Sequence, residues 1–177
     1  MGSLAKHILR FFLFVLFQAF VLDKIRLHQM ITPYLYFLFI LWLPFYMNRT
    51  WQMIIGFLLG YTLDSFRHQP GFHAAACVMI AYLRPFLINI LMPQEGADSN
   101  FSEPSIRSMG GFMSYLVYVT ILCFIHNAWL FFLEAWHFSD AWYFLVKTFF
   151  STIISVLLVM VTELIFSRNQ QFKTNTV

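Results

Sequence analysis

GFLLGYTLDSFRHQPGFHAAA, running from Gly56 to Ala76, is the stretch that decides how this chain folds. Gly56, Gly60 and Asp64 follow one another at i, i+4 and i+8, so a helix places two positions without side chains and one carboxylate along a single stripe. Another helix can approach closely along such a stripe. Gln69, Pro70 and Gly71 then break the helix, and His73 with the alanines after it opens a second one. The segment therefore predicts two tightly packed helices joined by a short turn. Asp64 falls near the end of an apolar run, where an unpaired carboxylate is costly, so it calls for a partner. Arg67, one turn on, and His73, across the turn, are the nearest candidates.

The rest of the chain places this hairpin in a membrane. Of 177 residues, 60% are hydrophobic and 11% charged, and phenylalanine alone accounts for 23. A soluble domain of this size needs far more polar surface, whereas lipid lets apolar side chains face outward as well as inward. About 20 apolar residues cross the hydrocarbon core as a helix. The apolar runs predict six spans, at about 8–22, 31–47, 51–64, 72–92, 112–133 and 141–166, forming one integral membrane domain over 1–177. The fold class is thus an all-α membrane protein, a single compact bundle. Residues 93–108, with Glu95, Asp98, Glu103 and two prolines, read as a loop. The first apolar run lacks a small-residue cleavage site and is followed by Asp23, Lys24 and Arg26, so it reads as a retained first helix. Lys6 stands where a myristoylation signal wants Ser or Thr.

Charge sets the expected orientation. With the N-terminus inside, Lys6, Arg10, Arg49, Arg107, Arg168 and Lys173 are cytoplasmic, against Lys24, Arg26 and Arg67 outside, which favours both termini in the cytoplasm. Trp129, Trp136, Trp142 and Tyr143 cluster around the turn between the last two spans, where amphipathic rings suit the headgroup layer. The net charge of +3 is scattered over helix ends without a basic run, which argues against nucleic-acid binding. Cys77 and Cys123 fall inside spans and read as packing residues.

The remaining polar residues are few. His73, Cys77 and Arg84 share one edge of the fourth span. Arg84 sits roughly 20 Å along that span, counted from Gly71, so it either snorkels to the headgroups or pairs inside the protein. Pro85 follows it and weakens the helix backbone there. On the sixth span Lys147, Ser151 and Ser155 share a stripe, with Glu163 two steps further on, and small hydroxyl residues of this kind pack against a neighbouring helix. Ser151 and Ser155, like Gly56 and Gly60, are therefore candidate packing or partner-binding positions. His126 and Asn127 on the fifth span suit a buried hydrogen-bonded role. No metal-ligand spacing, phosphate loop or nucleophile elbow is present, so no catalytic residue, metal or cofactor is expected. No repeat relates the two halves, which counts against an inverted-repeat transporter.

The run from Gly56 to Tyr82 resembles the central motif of the rod shape-determining membrane protein MreD family. In that family a glycine-rich span ends in an aspartate, and after a short turn a Gly-x-His element opens a small-residue helix. Gly56, Gly60, Asp64, Gly71, His73 and Ala74 match the pattern, and length and span count agree along the chain. The resemblance implies a non-catalytic component of the bacterial inner membrane, which acts with the bitopic protein MreC, MreB filaments, the glycosyltransferase RodA and its partner transpeptidase in lateral peptidoglycan synthesis. It also implies a fold similar to the substrate-binding subunits of energy-coupling-factor vitamin transporters. Such a vitamin-binding subunit is the alternative function. Those subunits share an Ala-x-x-x-Ala element on the first span, and here FFLFVLFQAFVL carries only Ala19. A membrane enzyme acting on lipid would have Asp64 and His73 as its pair.

Overall fold

The computed structural model describes residues 3–24, 32–92, 102–134 and 141–166. The chain is an all-α membrane protein. Its helices are α1 (Ser3–Phe20), α2 (Leu38–Leu41), α3 (Arg49–Arg67), α4 (Phe72–Leu91), α5 (Phe112–Glu134) and α6 (Ala141–Ile165), with a short 3-10 turn at Leu22–Lys24. By length and composition, α4, α5 and α6 from Trp142 onward are apolar enough to cross a membrane. Their outward faces carry large apolar residues such as Phe86, Phe124, Phe149 and Leu157, which would be a liability in water and suit lipid.

Neighbours in sequence pack side by side, α3 on α4, α4 on α5 and α5 on α6, while α1 leans on α3. α5 and α6 run antiparallel, since Asn127 bonds Thr152 near one level and Tyr115 bonds Glu163 at another. The third helix, with 19 residues, is longer than the apolar run 51–64 predicts, because the polar residues Arg49 and Arg67 at its ends are helical too.

Over 31–47, where hydropathy predicts a spanning helix, the described residues 32–47 contain only the single turn of α2. Every residue from Tyr34 to Leu43 is nevertheless buried. This segment threads the middle of the bundle from end to end. Thr32 and Tyr34 meet Ser151 and Ser155 of α6, Tyr36 meets His126, and further along Tyr118 and Tyr115 meet Leu41 and Trp42. The segment thus descends α5 while it follows α6. The physical reason for the departure is its position. A run that is apolar on all sides needs neighbours all round, and Pro33 and Pro44 at its ends disfavour helix entry and continuation. Irregular backbone is tolerated at membrane depth where protein buries it and supplies its hydrogen bonds.

At the Arg49 end, residues 102–111 fold back over the bundle. Phe45 N–H donates to the Ser102 carbonyl at 3.0 Å, and Arg10 reaches the Glu103 carboxylate at 3.1 Å. Ser105 and Ser108 close a local turn there with mutual side-chain and backbone bonds.

Candidate functional site

The α3–α4 hairpin is closed at two glycines. A Cβ on Gly60 would stand 2.5 Å from the Ala74 nitrogen and the His73 carbonyl carbon, a distance real atoms do not tolerate. On Gly56 it would meet the Cys77 carbonyl oxygen at 3.1 Å, tight but not prohibitive. His68 ends α3 with φ of 54° and Gly71 enters α4 with φ of 88°, both in the left-handed region, so the chain reverses within a few residues.

Asp64 then caps α4 across this turn. One carboxylate oxygen accepts from the His73 backbone N–H at 3.1 Å and from His73 Nδ1 at 2.8 Å, and the other accepts from the Ala74 N–H at 2.9 Å. A carboxylate on the first free N–H groups of a helix is favoured by both hydrogen bonding and the helix dipole. Gly71, at the helix start, has no side chain to do this, and Asp64 supplies the cap from the facing helix. His73 is the partner that Asp64 requires. Arg67 joins one bond further out, 2.9 Å from His73 Nε2, and it pairs with Asp23 after α1. A guanidinium can only donate, so Nε2 accepts from it and Nδ1 donates to Asp64. Both oxygens of Asp64 and both ring nitrogens of His73 are occupied, deep in the protein. The pair fastens the hairpin.

The other polar residues hold the buried segment, and most of them bond its backbone directly. Gln18 donates to the Pro33 carbonyl at 3.1 Å and accepts from Leu35 N–H at 2.9 Å. Ser151 and Ser155 accept from the N–H groups of Thr32 at 3.2 Å and Tyr34 at 3.0 Å. Tyr118 donates to the Leu41 carbonyl at 3.2 Å, and Gln52 to the Met47 carbonyl at 2.7 Å. Arg84 does not snorkel. It is fully buried, with its guanidinium on the Leu43 carbonyl, on Gln52 Oε1 at 2.9 Å and on Tyr118 Oη at 3.2 Å. Tyr36 and Trp42 are held by their side chains, through His126 at 2.7 Å and Tyr115 at 3.3 Å. His126 in turn bonds Asn127, and Tyr115 donates to Glu163.

Five helices thus surround a segment that bonds itself through local turns from Leu35 to Leu43, and their side chains bond backbone groups on either side of and at the end of that run. Sequence reasoning read His126 and Asn127 as buried and hydrogen-bonded, Ser151 and Ser155 as packing or partner-binding positions, and left Arg84 open between snorkelling and internal pairing. It passed over Gln18, Gln52, Tyr115 and Tyr118, although Gln18 interrupts an otherwise apolar run. Gly56, Gly60, Asp64, Arg67, Gly71 and His73 come together at the hairpin, while Arg84, Ser151 and Ser155 belong to the segment. Both candidate stripes, Gly56 with Gly60 and Ser151 with Ser155, are used inside the chain.

A polar cavity of about 460 Å³ opens at the Gly71 end, with Lys24, Tyr34 and Gln69 on its wall. Two ion pairs flank it, Arg67 with Asp23 and Lys147 with Glu134, the latter at 3.0 Å. Among the described residues no group of His, Cys, Asp and Glu is placed to hold a metal ion. No protein-family model, curated protein or solved structure matches this chain.

Proposed function

We propose that this chain is an MreD-like scaffold of the bacterial cell-elongation machinery, lying in the cytoplasmic membrane with both termini in the cytoplasm. It binds the transmembrane helix of MreC and assembles with MreB, RodA and the partner transpeptidase. The observation that carries this reading is the hairpin. Gly60, Asp64, Gly71, His73 and Ala74, on which the resemblance rests, are the residues whose size, charge or backbone freedom that close approach demands. A motif that fits a structural need along its whole length is a better guide than hydrophobic pattern. The buried polar groups support a binding role over a catalytic one, since hydrogen bonds to the hairpin and the central segment engage them.

A second reading, a vitamin-binding transporter subunit, is favoured by the polar cavity at the Gly71 end. One experiment separates the two. The tagged protein is captured from its native membranes in mild detergent and the co-purifying proteins are identified by mass spectrometry. MreC together with RodA or its transpeptidase is the expected outcome. ATPase subunits with a coupling protein would overturn the scaffold reading in favour of the transporter.

A further inference from the structure

The polar cavity at the Gly71 end, about 460 Å³ in volume, gathers the charged side chains Asp23, Lys24, Arg67, Glu134 and Lys147. They come from the turn after α1 and from α3, α5 and α6. Three cations stand against two carboxylates, so the wall carries one positive charge in excess. Both carboxylates already hold a cation. Asp23 takes the Arg67 guanidinium, with Nε at 2.7 Å, and Gln18 Nε2 at 2.8 Å, while Glu134 takes Lys147 Nζ at 3.0 Å. The excess resides on the other side. Lys24 is exposed and has no partner among the described residues. Lys147 uses one of its three ammonium hydrogens on Glu134, and its Nζ lies 4.1 Å from the centre of the Phe131 ring. The four paired side chains keep 14–24% of their surface open, Arg67 at 18%, Asp23 at 14%, Lys147 at 19% and Glu134 at 23%, so a molecule in the cavity can touch them.

The cavity stands at headgroup depth. α4 begins at Phe72, α5 ends at Glu134 and the apolar part of α6 begins at Trp142, so three helices able to cross a membrane end at this level. One flank of the cavity is apolar, formed by Ala19 of α1 and Phe66 of α3, and Phe66 is half exposed.

We infer that this cavity binds one anionic phospholipid by its phosphodiester, received by Lys24 and Lys147, with the glycerol backbone and the first methylenes along Ala19 and Phe66. A phosphodiester carries the single negative charge that balances the wall, and hydrogen bonds from ammonium groups to phosphate are of the strong, charge-assisted kind. A zwitterionic headgroup brings an ammonium as well, and each carboxylate that would receive it is already paired with a cation. A soluble phosphate ester satisfies the same cations but gains nothing from the apolar flank. Lipid binding here is independent of the scaffold reading and holds whether or not MreC is the partner.

The test uses the full chain, delipidated in a non-ionic detergent, and native mass spectrometry with equal amounts of dioctanoyl phosphatidylglycerol and dioctanoyl phosphatidylcholine. Tails and phosphodiester are common to the two, and the net charge of the headgroup differs. One phosphatidylglycerol per chain is expected, favoured about fivefold to tenfold over phosphatidylcholine. Lys24→Glu reverses the excess charge and should abolish the preference, and Lys24→Gln should reduce it. Neither should lower the melting temperature of the lipid-free protein, because Lys24 holds no other described residue. Arg107→Glu makes the same change of net charge at an exposed position at the opposite end of the bundle and should leave the preference intact. Equal retention of the two lipids, or equal loss of preference in Lys24→Glu and Arg107→Glu, would overturn the site and leave only general attraction between charges. Displacement of bound phosphatidylglycerol by an equal concentration of glycerol phosphate would overturn the lipid assignment in favour of a soluble phosphate ester.

Discussion

The α3–α4 hairpin and the segment 32–47 both contribute to the buried core, yet they satisfy their backbones in different ways. In the hairpin each helix bonds itself, so the two can be pressed together until glycine is the only residue that fits. The central segment bonds itself only through the turns between Leu35 and Leu43, and elsewhere its backbone groups bond Gln18, Gln52, Arg84, Tyr118, Ser151 and Ser155 of other elements. The first is sensitive to volume and the second to the loss of hydrogen-bonding atoms. Substitutions that exchange these sensitivities are the way to test the contrast.

The largest effect belongs to volume in the hairpin. In Gly60→Leu even the first added carbon would lie 2.5 Å from the α4 backbone, so the helices must separate and Asp64 loses its grip on His73 and Ala74. Overpacking of this kind costs about 3 kcal/mol or more. We expect little folded protein by size-exclusion chromatography in detergent, whereas Gly56→Ala, which meets the Cys77 carbonyl at 3.1 Å, should fold with a modestly lower melting temperature. Equal yields of Gly60→Leu and the unmodified protein would show that the close approach is not required.

Next comes the loss of donors beneath the central segment. Arg84→Leu keeps an apolar filling but leaves the Leu43 carbonyl and Gln52 Oε1 without their donor. Orphaned buried acceptors cost about 1–3 kcal/mol each, partly offset because a buried cation has also been removed. The net expectation is a loss of about 2 kcal/mol, with faster amide exchange in residues 42–47 and little change in the hairpin. Arg84→Lys, which retains a donor, should lose less. If Arg84→Leu instead melts with the unmodified protein and exchanges no faster, the cage does not hold the segment.

These contrasts also explain what could be read in the sequence. The hairpin was legible because its determinants are contiguous: glycines four apart, an aspartate four further on, then a turn and a histidine. The helical character and membrane environment were legible from long apolar runs. The irregular path of 32–47 was not, because hydropathy reports how apolar a residue is and says nothing of where its backbone bonds go. Many of those bonds end on residues far away in the chain, as Leu35 with Gln18, 17 positions off, and Tyr34 with Ser155, 121 positions off, illustrate. The available hints were Pro33 and Pro44 bracketing the run and a lone glutamine inside the first apolar stretch. Ser151 and Ser155 were legible as contact positions, but their contacts are to backbone N–H groups and not to a packed helix face. Arg84 stood between snorkelling and internal pairing, since a one-dimensional pattern cannot place a carbonyl from another span beside it.

The smallest effect is the sharpest measure of the cage, because it changes one atom at a time. Ser155 Oγ accepts from the Tyr34 N–H in a fully buried setting, while Ser151 Oγ accepts from Thr32 N–H where the site is only partly buried. Serine to alanine at either position removes an acceptor with almost no change in volume. An N–H stripped of its partner is penalised according to how completely water is excluded. Ser155→Ala should therefore cost about 1–2 kcal/mol and Ser151→Ala a few tenths, since water can reach Thr32 in its place. Ser155→Gly and Ser151→Gly would confuse the comparison by loosening α6 itself. Melting temperatures of the two alanine variants in the same detergent give the ordering directly. Equal shifts would mean that both hydroxyls act by packing, and a larger shift for Ser151→Ala would place the tighter end of the cage at Thr32.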